Sequence, residues 1–224
     1  YPGELVVLLG DTGLGKTAWI QNLIVSSPNL SCLFLSLEVH DHLIYRRFLQ
    51  IANGKSKEEI NDLHTIDSNN KLKEALTGIE HINIMTLSPE IGSMKQLITE
   101  LSPKIVVIDT VDGVKADYQN DPFNKMEKVI NELKQLAVQE GIIIIGVCHI
   151  SKGASFEQRL SVHSAKGNSV IEQKADKVIG IMGERDTPRR IIRSLKSRDE
   201  SKFQIPLIFD FKTFRFKEDK NAQI

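Results

Sequence analysis

Gly10-Asp11-Thr12-Gly13-Leu14-Gly15-Lys16-Thr17 satisfies the pattern G-x-x-x-x-G-K-[ST] at every fixed position. An apolar run, Leu5–Leu9, leads into it, and a helical pattern from Ala18 to Val25 follows. The stretch therefore turns a strand into a helix, the setting in which such a loop holds phosphate. Its glycines let main-chain N–H groups face inward around phosphate oxygens, where the positive end of the helix also points. Residues Gly10 to Ala18 are thus expected to bind a nucleoside triphosphate. Lys16 reaches its β- and γ-phosphates, and the Thr17 hydroxyl ligates Mg²⁺.

Outward from this loop, apolar runs of β type recur at Cys32–Leu35, Ile82–Met85, Ile105–Ile108, Ile142–Val147 and Lys177–Met182. Amphipathic stretches separate most of them. The clearest runs from about Phe123 to Gln139, with Met126, Val129, Ile130, Leu133, Leu136 and Ala137 along one face. Continuously apolar strands alternating with helices predict an α/β fold, a mostly parallel twisted sheet with helices on both faces. Ser56-x-x-Glu59 has the form of a capping box, and Pro103 separates a helix from the next strand. The C-terminal part differs: Ile191–Leu195, Ile205–Phe209 and Phe214–Phe216 predict antiparallel edge strands, with a turn near Lys212–Thr213.

A chain of 224 residues, 41% hydrophobic and 6% aromatic, suits one domain with a full-sized core, spanning 1–224. It opens without Met and enters a strand almost at once, which predicts a domain cut from a longer protein. Lys+Arg and Asp+Glu each number 29, so a polyanion would have to be held by a local basic patch. The apolar stretches are too short to span a bilayer, so no membrane is expected. Cys32 and Cys148 lie inside apolar runs, away from any metal-knuckle spacing, and are expected as buried thiols in a cytosolic or organelle-matrix compartment.

Two acids stand at predicted strand ends. Lys104-Ile105-Val106-Val107-Ile108-Asp109 has the form of a Walker B segment, whose acid holds Mg²⁺ directly or through water. An acid in that place can also cap the helix that follows. Phe34-Leu35-Ser36-Leu37-Glu38 brings a second carboxylate to the same edge of the sheet. It either orients and deprotonates the attacking water or simply begins the next helix. No N-K-x-D segment is present, which argues against guanine recognition.

Together these residues resemble the RecA-like P-loop ATPases and, within them, the DnaB family of replicative hexameric helicases. Tyr1-Pro2-Gly3-Glu4-Leu5 looks like that family's entry to its first strand. Ser36-Leu37-Glu38-Val39, followed by Arg46 and Arg47, looks like its S-L-E-M segment, which implies that Glu38 is the catalytic base. Val147-Cys148-His149-Ile150-Ser151-Lys152 has His149 where the bacterial helicases usually have Gln and the phage primase-helicases and mitochondrial helicase have His. The resemblance implies that His149 senses the γ-phosphate. Gly167-Asn168-Ser169-Val170-Ile171-Glu172-Gln173-Lys174-Ala175-Asp176 is similar to the signature G-S-x-x-I-E-Q-x-A-D. Lys196-Ser197-Arg198 looks like the family's K-x-R element, which implies that Arg198, with Lys196, reaches a neighbouring subunit's γ-phosphate. Both could instead belong to a solvated face of an edge strand.

The resemblance further implies ATP and Mg²⁺, assembly as a homo-hexamer, and single-stranded DNA drawn past two channel loops, roughly Val111–Asn124 and Lys152–Asn168. The second carries Lys152, Arg159 and Lys166, candidates for contact with a phosphate backbone. The compartment is then cytoplasm, an organelle matrix or an infected host's cytoplasm. The Pro usual in the family's phosphate loop is absent, with Asp11-Thr12 in its place. A RecA/RadA-type recombination ATPase and a KaiC-like regulatory ring ATPase without DNA remain alternatives. The I-E-Q-x-A-D match argues against the former.

Overall fold

A computed structural model describes residues 1–65, 69–86, 90–115, 122–150, 168–198 and 201–222. Residues 152–167 of the second channel loop, with Lys152, Arg159 and Lys166, fall outside the described residues, as do 116–121 of the first.

Among the described residues, nine strands form one sheet: β1 (Leu5–Gly10), β2 (Cys32–Ser36), β3 (Ile82–Thr86), β4 (Ile105–Asp109), β5 (Ile143–His149), β6 (Lys177–Met182), β7 (Arg189–Ser197), β8 (Gln204–Asp210) and β9 (Arg215–Glu218). Their spatial order is β3-β2-β4-β5-β1-β6-β7-β8-β9. The first six run parallel, and β6 to β9 pair antiparallel. The expected fold class is thus the observed one. The strand at the end of the sheet is β9, however, and β7 lies inside it, paired on both sides.

The helices are α1 (Lys16–Val25), α2 (Asp41–Asn53), α3 (Lys57–Thr65), α4 (Asn69–Leu76), α5 (Ile91–Leu101), α6 (Pro122–Glu140) and α7 (Asn168–Lys174). The strands alternate between two cores, as a two-sided sheet requires. In β1, Leu5, Val7 and Leu9 join one cluster with Met94, Ile98, Val129, Ile130 and Leu133 from α5 and α6. Leu8 joins the other with Ile20, Ile24, Ile44 and Phe48 from α1 and α2. In β4, Val106 and Ile108 face the first cluster, Ile105 and Val107 the second. Phe34 meets Phe48 edge-on at 5.3 Å, fixing α2 against β2.

The capping box at α3 is present: Ser56 N donates to Glu59 Oε2 at 2.7 Å, and Glu59 N to Ser56 Oγ at 3.3 Å. Helix α5 ends at Ser102, left-handed with φ 44°, one residue before Pro103. Both cysteines are buried and free, and burial pushes both thiols up.

Candidate nucleotide site

The parallel register decides what meets at the carboxyl edge. Gly10 pairs with His149, Asp109 with Val147, and Ser36 with Asp109, so β1, β5, β4 and β2 all end at one level. Ligands of open α/β sheets bind beyond such strand ends. Residues Gly10, Lys16, Thr17, Glu38, Asp109 and His149, proposed from sequence, all come to this edge.

The loop leaves β1 at Gly10 and enters α1 at Lys16. Gly15, with φ 91°, makes the left-handed step, and a Cβ there would sit 3.3 Å from the Phe216 ring. Among the described residues no side chain caps α1, so its first amides face the loop without a side-chain acceptor from them. Lys16 is buried, its ammonium donating to Gly10 O at 2.8 Å and Asp11 O at 3.0 Å. Burial lowers its pKa, against the opposing charges of Asp109, Asp11, Glu38 and Asp112.

Thr17 Oγ1 donates to Asp109 Oδ2 at 2.8 Å. This hard-oxygen pair suits Mg²⁺, which takes one or two protein oxygens and completes its shell with water and phosphate. Among the described residues no cluster of three His, Cys, Asp or Glu could hold a metal, so no all-protein cage competes with that arrangement. Burial raises the Asp109 pKa and Glu38 adds to it, while the Thr17 hydrogen bond, Lys16 and His149 oppose the rise. A cation placed there would relieve a carboxylate that is expensive to keep charged.

Glu38 lies at the mouth, its side chain 48% exposed. Its Oε1 accepts from Thr110 Oγ1 at 2.8 Å and lies 3.2 Å from His149 Nε2. Asp112 Oδ2 accepts the His149 main-chain N–H at 2.9 Å, and Leu37 N donates to Asp109 O at 2.7 Å. His149 Nδ1 is buried with no hydrogen-bond partner among the described residues. The carboxylate and imidazole are thus held against each other by the ends of β2, β4 and β5. They can orient a water and register a charge arriving beside it.

Lys196 and Arg198 are elsewhere. Ser197 is level with Lys177 and hence with Val6, so Arg198 lies about five strand residues from Gly10, ~16 Å down the sheet. Arg198 Nη1 bonds Asp176 Oδ1 at 3.2 Å and Nη2 bonds Gln173 O at 2.6 Å. Lys196 donates to Glu172 O and Ala175 O. These contacts lie on the end of α7 and the two residues after it, while the Arg198 side chain stays 45% exposed. Neither cation can reach its own subunit's phosphate loop.

Sequence reasoning found strands β6 to β9 but not that they flank the phosphate loop. Arg185 Nη2 pairs with Asp11 Oδ2 at 3.1 Å. Phe209 stacks on Phe216 at 4.5 Å beside Gly15, and Phe211 is exposed next to them. Thr110 and Asp112 were also missed as site residues. Their position directly after Asp109 was the available signal.

A parallel sheet with a phosphate loop on its first strand, an acid ending its fourth and a glutamate beyond its second defines a RecA-like P-loop nucleotide-binding domain. The model of the DnaB-like helicase C-terminal domain matches residues 1–218, and the chain belongs to that family. It is similar to the replicative DNA helicase DnaB of Mycoplasma genitalium, 26% identical over 93% of this chain and 48% of that protein. It is also similar to the DNA repair protein RadA of Halalkalibacterium halodurans, 24% identical over 98% of this chain and 42% of that one. The chain spans less than half of these relatives. Among solved structures, a DnaB-like replicative helicase studied with its primase interactions superposes with TM-score 0.81, at 18% identity over 96% of this chain and 57% of that one. A KaiC-like protein of Pyrococcus horikoshii superposes at 0.64, with 17% identity over 97% and 89%.

Proposed function

We propose that this chain is the ATPase motor of a ring-forming DNA helicase that hydrolyses ATP between subunits and translocates on single-stranded DNA. The observation that carries the chemistry is the convergence of Lys16, the Thr17–Asp109 pair and the Glu38–His149 pair at one sheet edge. Mg²⁺ bound with ATP would supply charge neutralisation at the phosphates, with Thr17 and Asp109 as its protein oxygens. Lys16 and the loop amides bind and orient the triphosphate. Glu38 accepts the proton of the attacking water, and Thr110 and His149 hold that carboxylate in place. His149 couples the γ-phosphate to the segment that follows β5, where Lys152, Arg159 and Lys166 are proposed to contact DNA. Arg198 and Lys196 act on the phosphate of the next subunit. One domain over 1–224, a homo-hexamer and a cytoplasmic setting belong to this reading.

The RadA relative, matched over nearly the whole chain, favours a second reading as a recombination ATPase. Steady-state hydrolysis with and without single-stranded DNA, with separate unwinding and strand-exchange assays, decides between them. Hydrolysis strongly stimulated by DNA, together with unwinding, is expected. Strand exchange without unwinding would favour the second reading, and turnover indifferent to DNA would favour a KaiC-like regulatory ATPase.

A further inference from the structure

Arg190 is among the largest fully buried side chains of the described residues, 1% exposed, yet its five side-chain hydrogen bonds among those residues all end on main-chain carbonyls. Its Nε donates to Leu14 O in the phosphate loop at 2.9 Å. Its Nη1 donates to the carbonyls of Glu184, Thr187 and Arg189, and its Nη2 to that of Arg185, at 2.5 to 3.2 Å. One guanidinium therefore folds the β6–β7 turn around itself and fastens that turn to the middle of the phosphate loop. A buried cation held in this way is costly to desolvate, and hydrophobic packing would fill the space at less cost. What Arg190 adds over an apolar side chain is a fixed distance between two loops.

A second feature points the same way. Gly183 has φ 144°, and a Cβ there would lie 2.6 Å from Arg189 O and 3.0 Å from Arg190 Cδ. The turn begins on a glycine where the arginine needs the room. Arg190 also lies 5.9 Å from the ring centres of Phe209 and Phe211, and Phe209 packs beside Gly15. Arg190 thus braces the phosphate loop both through Leu14 and through the aromatic ring beside Gly15.

We infer that Arg190 is a positioning residue for ATP binding, holding the Leu14 peptide so that the amides of Gly13 to Lys16 stay turned toward the triphosphate. The inference rests on the reading of this loop as the ATP site. Arg190 is buried with its guanidinium spent on main-chain carbonyls, so its loss weakens ATP binding and leaves the chemical step intact once ATP is bound.

The test measures affinity for a fluorescent ATP analogue, KM and kcat for hydrolysis, and the melting temperature with and without ATP. It uses wild type, Arg190→Lys, Arg190→Gln and Lys16→Ala. Both Arg190 variants are expected to fold, to lose about tenfold in affinity, corresponding to about 1.4 kcal/mol, and to keep kcat within about twofold. The ATP-induced rise in melting temperature should shrink in both. Gly183→Ala should move KM in the same direction, because it displaces Arg190 without removing it. Wild-type affinity in Arg190→Lys and Arg190→Gln, or equal losses in kcat and kcat/KM, overturns the inference. So does failure of both variants to fold, which assigns Arg190 to the stability of the sheet alone. If wild type and Lys16→Ala bind the analogue equally, the ATP-site reading itself has failed.

Discussion

At the scale of single residues, the two carboxylates of the site differ in burial, and that difference separates their roles. Asp109 is 4% exposed and faces Thr17, whereas the Glu38 side chain is 48% exposed and faces His149 and the mouth. Glu38→Gln removes the proposed proton acceptor without disturbing the phosphate loop. Turnover should fall by about 10²–10⁴-fold while ATP affinity stays near wild type, a split read by comparing single-turnover hydrolysis with equilibrium binding. Asp109 carries a stability consequence of the opposite kind. Its folded pKa is raised by burial, so the folded chain holds the proton more tightly and the charged form costs stability at neutral pH. Asp109→Asn should therefore raise the melting temperature of the nucleotide-free protein at pH 7, an advantage that disappears below the ordinary carboxylate pKa. The same variant should lose Mg²⁺-dependent hydrolysis. Both carboxylates were legible in the sequence because Asp109 ends an apolar strand and Glu38 follows one by two residues. Arg190 was not, because its partners are main-chain oxygens, which leave no mark on residue identity.

At the scale of elements, strands with both faces covered were read almost to the residue, since continuous apolarity bounded by polar residues is a strong signal. β7 was read from Ile191, two residues late, because Arg189-Arg190 looks like a loop until the buried partners of Arg190 are known. The elements also differ in what holds them. Helix α6 buries Val129, Ile130 and Leu133 against the sheet, and Leu133→Ala should cost about 2–5 kcal/mol in urea unfolding. The α3 cap is an exposed local device by comparison, and Ser56→Ala should cost about 1 kcal/mol. Near the amino edge of the sheet, Asp176 accepts Leu5 N at 2.8 Å and Lys134 Nζ at 2.7 Å, besides Arg198. Burial pushes its pKa up, but those hydrogen bonds and the charges of Lys134 and Arg198 outweigh it and hold the carboxyl below its usual value. A depressed folded pKa stabilises above the unfolded pKa, and that contribution is lost as pH falls through the folded one. The stability gap between wild type and Asp176→Asn should therefore be full at pH 7 and close below about pH 4, measured by urea midpoints.

At the scale of the whole molecule, one subunit holds half of what the proposed mechanism requires. The phosphate loop, Asp109 and Glu38 are at the carboxyl edge, while Arg198 is anchored ~16 Å and Lys196 ~10 Å down the sheet toward the other edge. The K-x-R spacing was legible, but the direction in which those cations point was not, since register between β6 and β7 sets it. If the subunits associate head to tail, the interface is heterologous and each site takes Glu38 from one protomer and Arg198 from the next. This predicts complementation between two inactive proteins. Glu38→Gln and Arg198→Ala should each lose most DNA-stimulated hydrolysis when assayed alone. In a ring assembled from equal amounts of both, a site is intact only where an Arg198→Ala subunit supplies Glu38 and an adjoining Glu38→Gln subunit supplies Arg198. Random mixing produces that pairing at about a quarter of interfaces, so activity should return to roughly that fraction of wild type. The assay is steady-state phosphate release after co-assembly, with the two proteins also assayed separately. Absence of recovery, with mixed rings verified by mass, would mean that Arg198 serves its own subunit through Asp176 and α7, and the shared site would have to be abandoned.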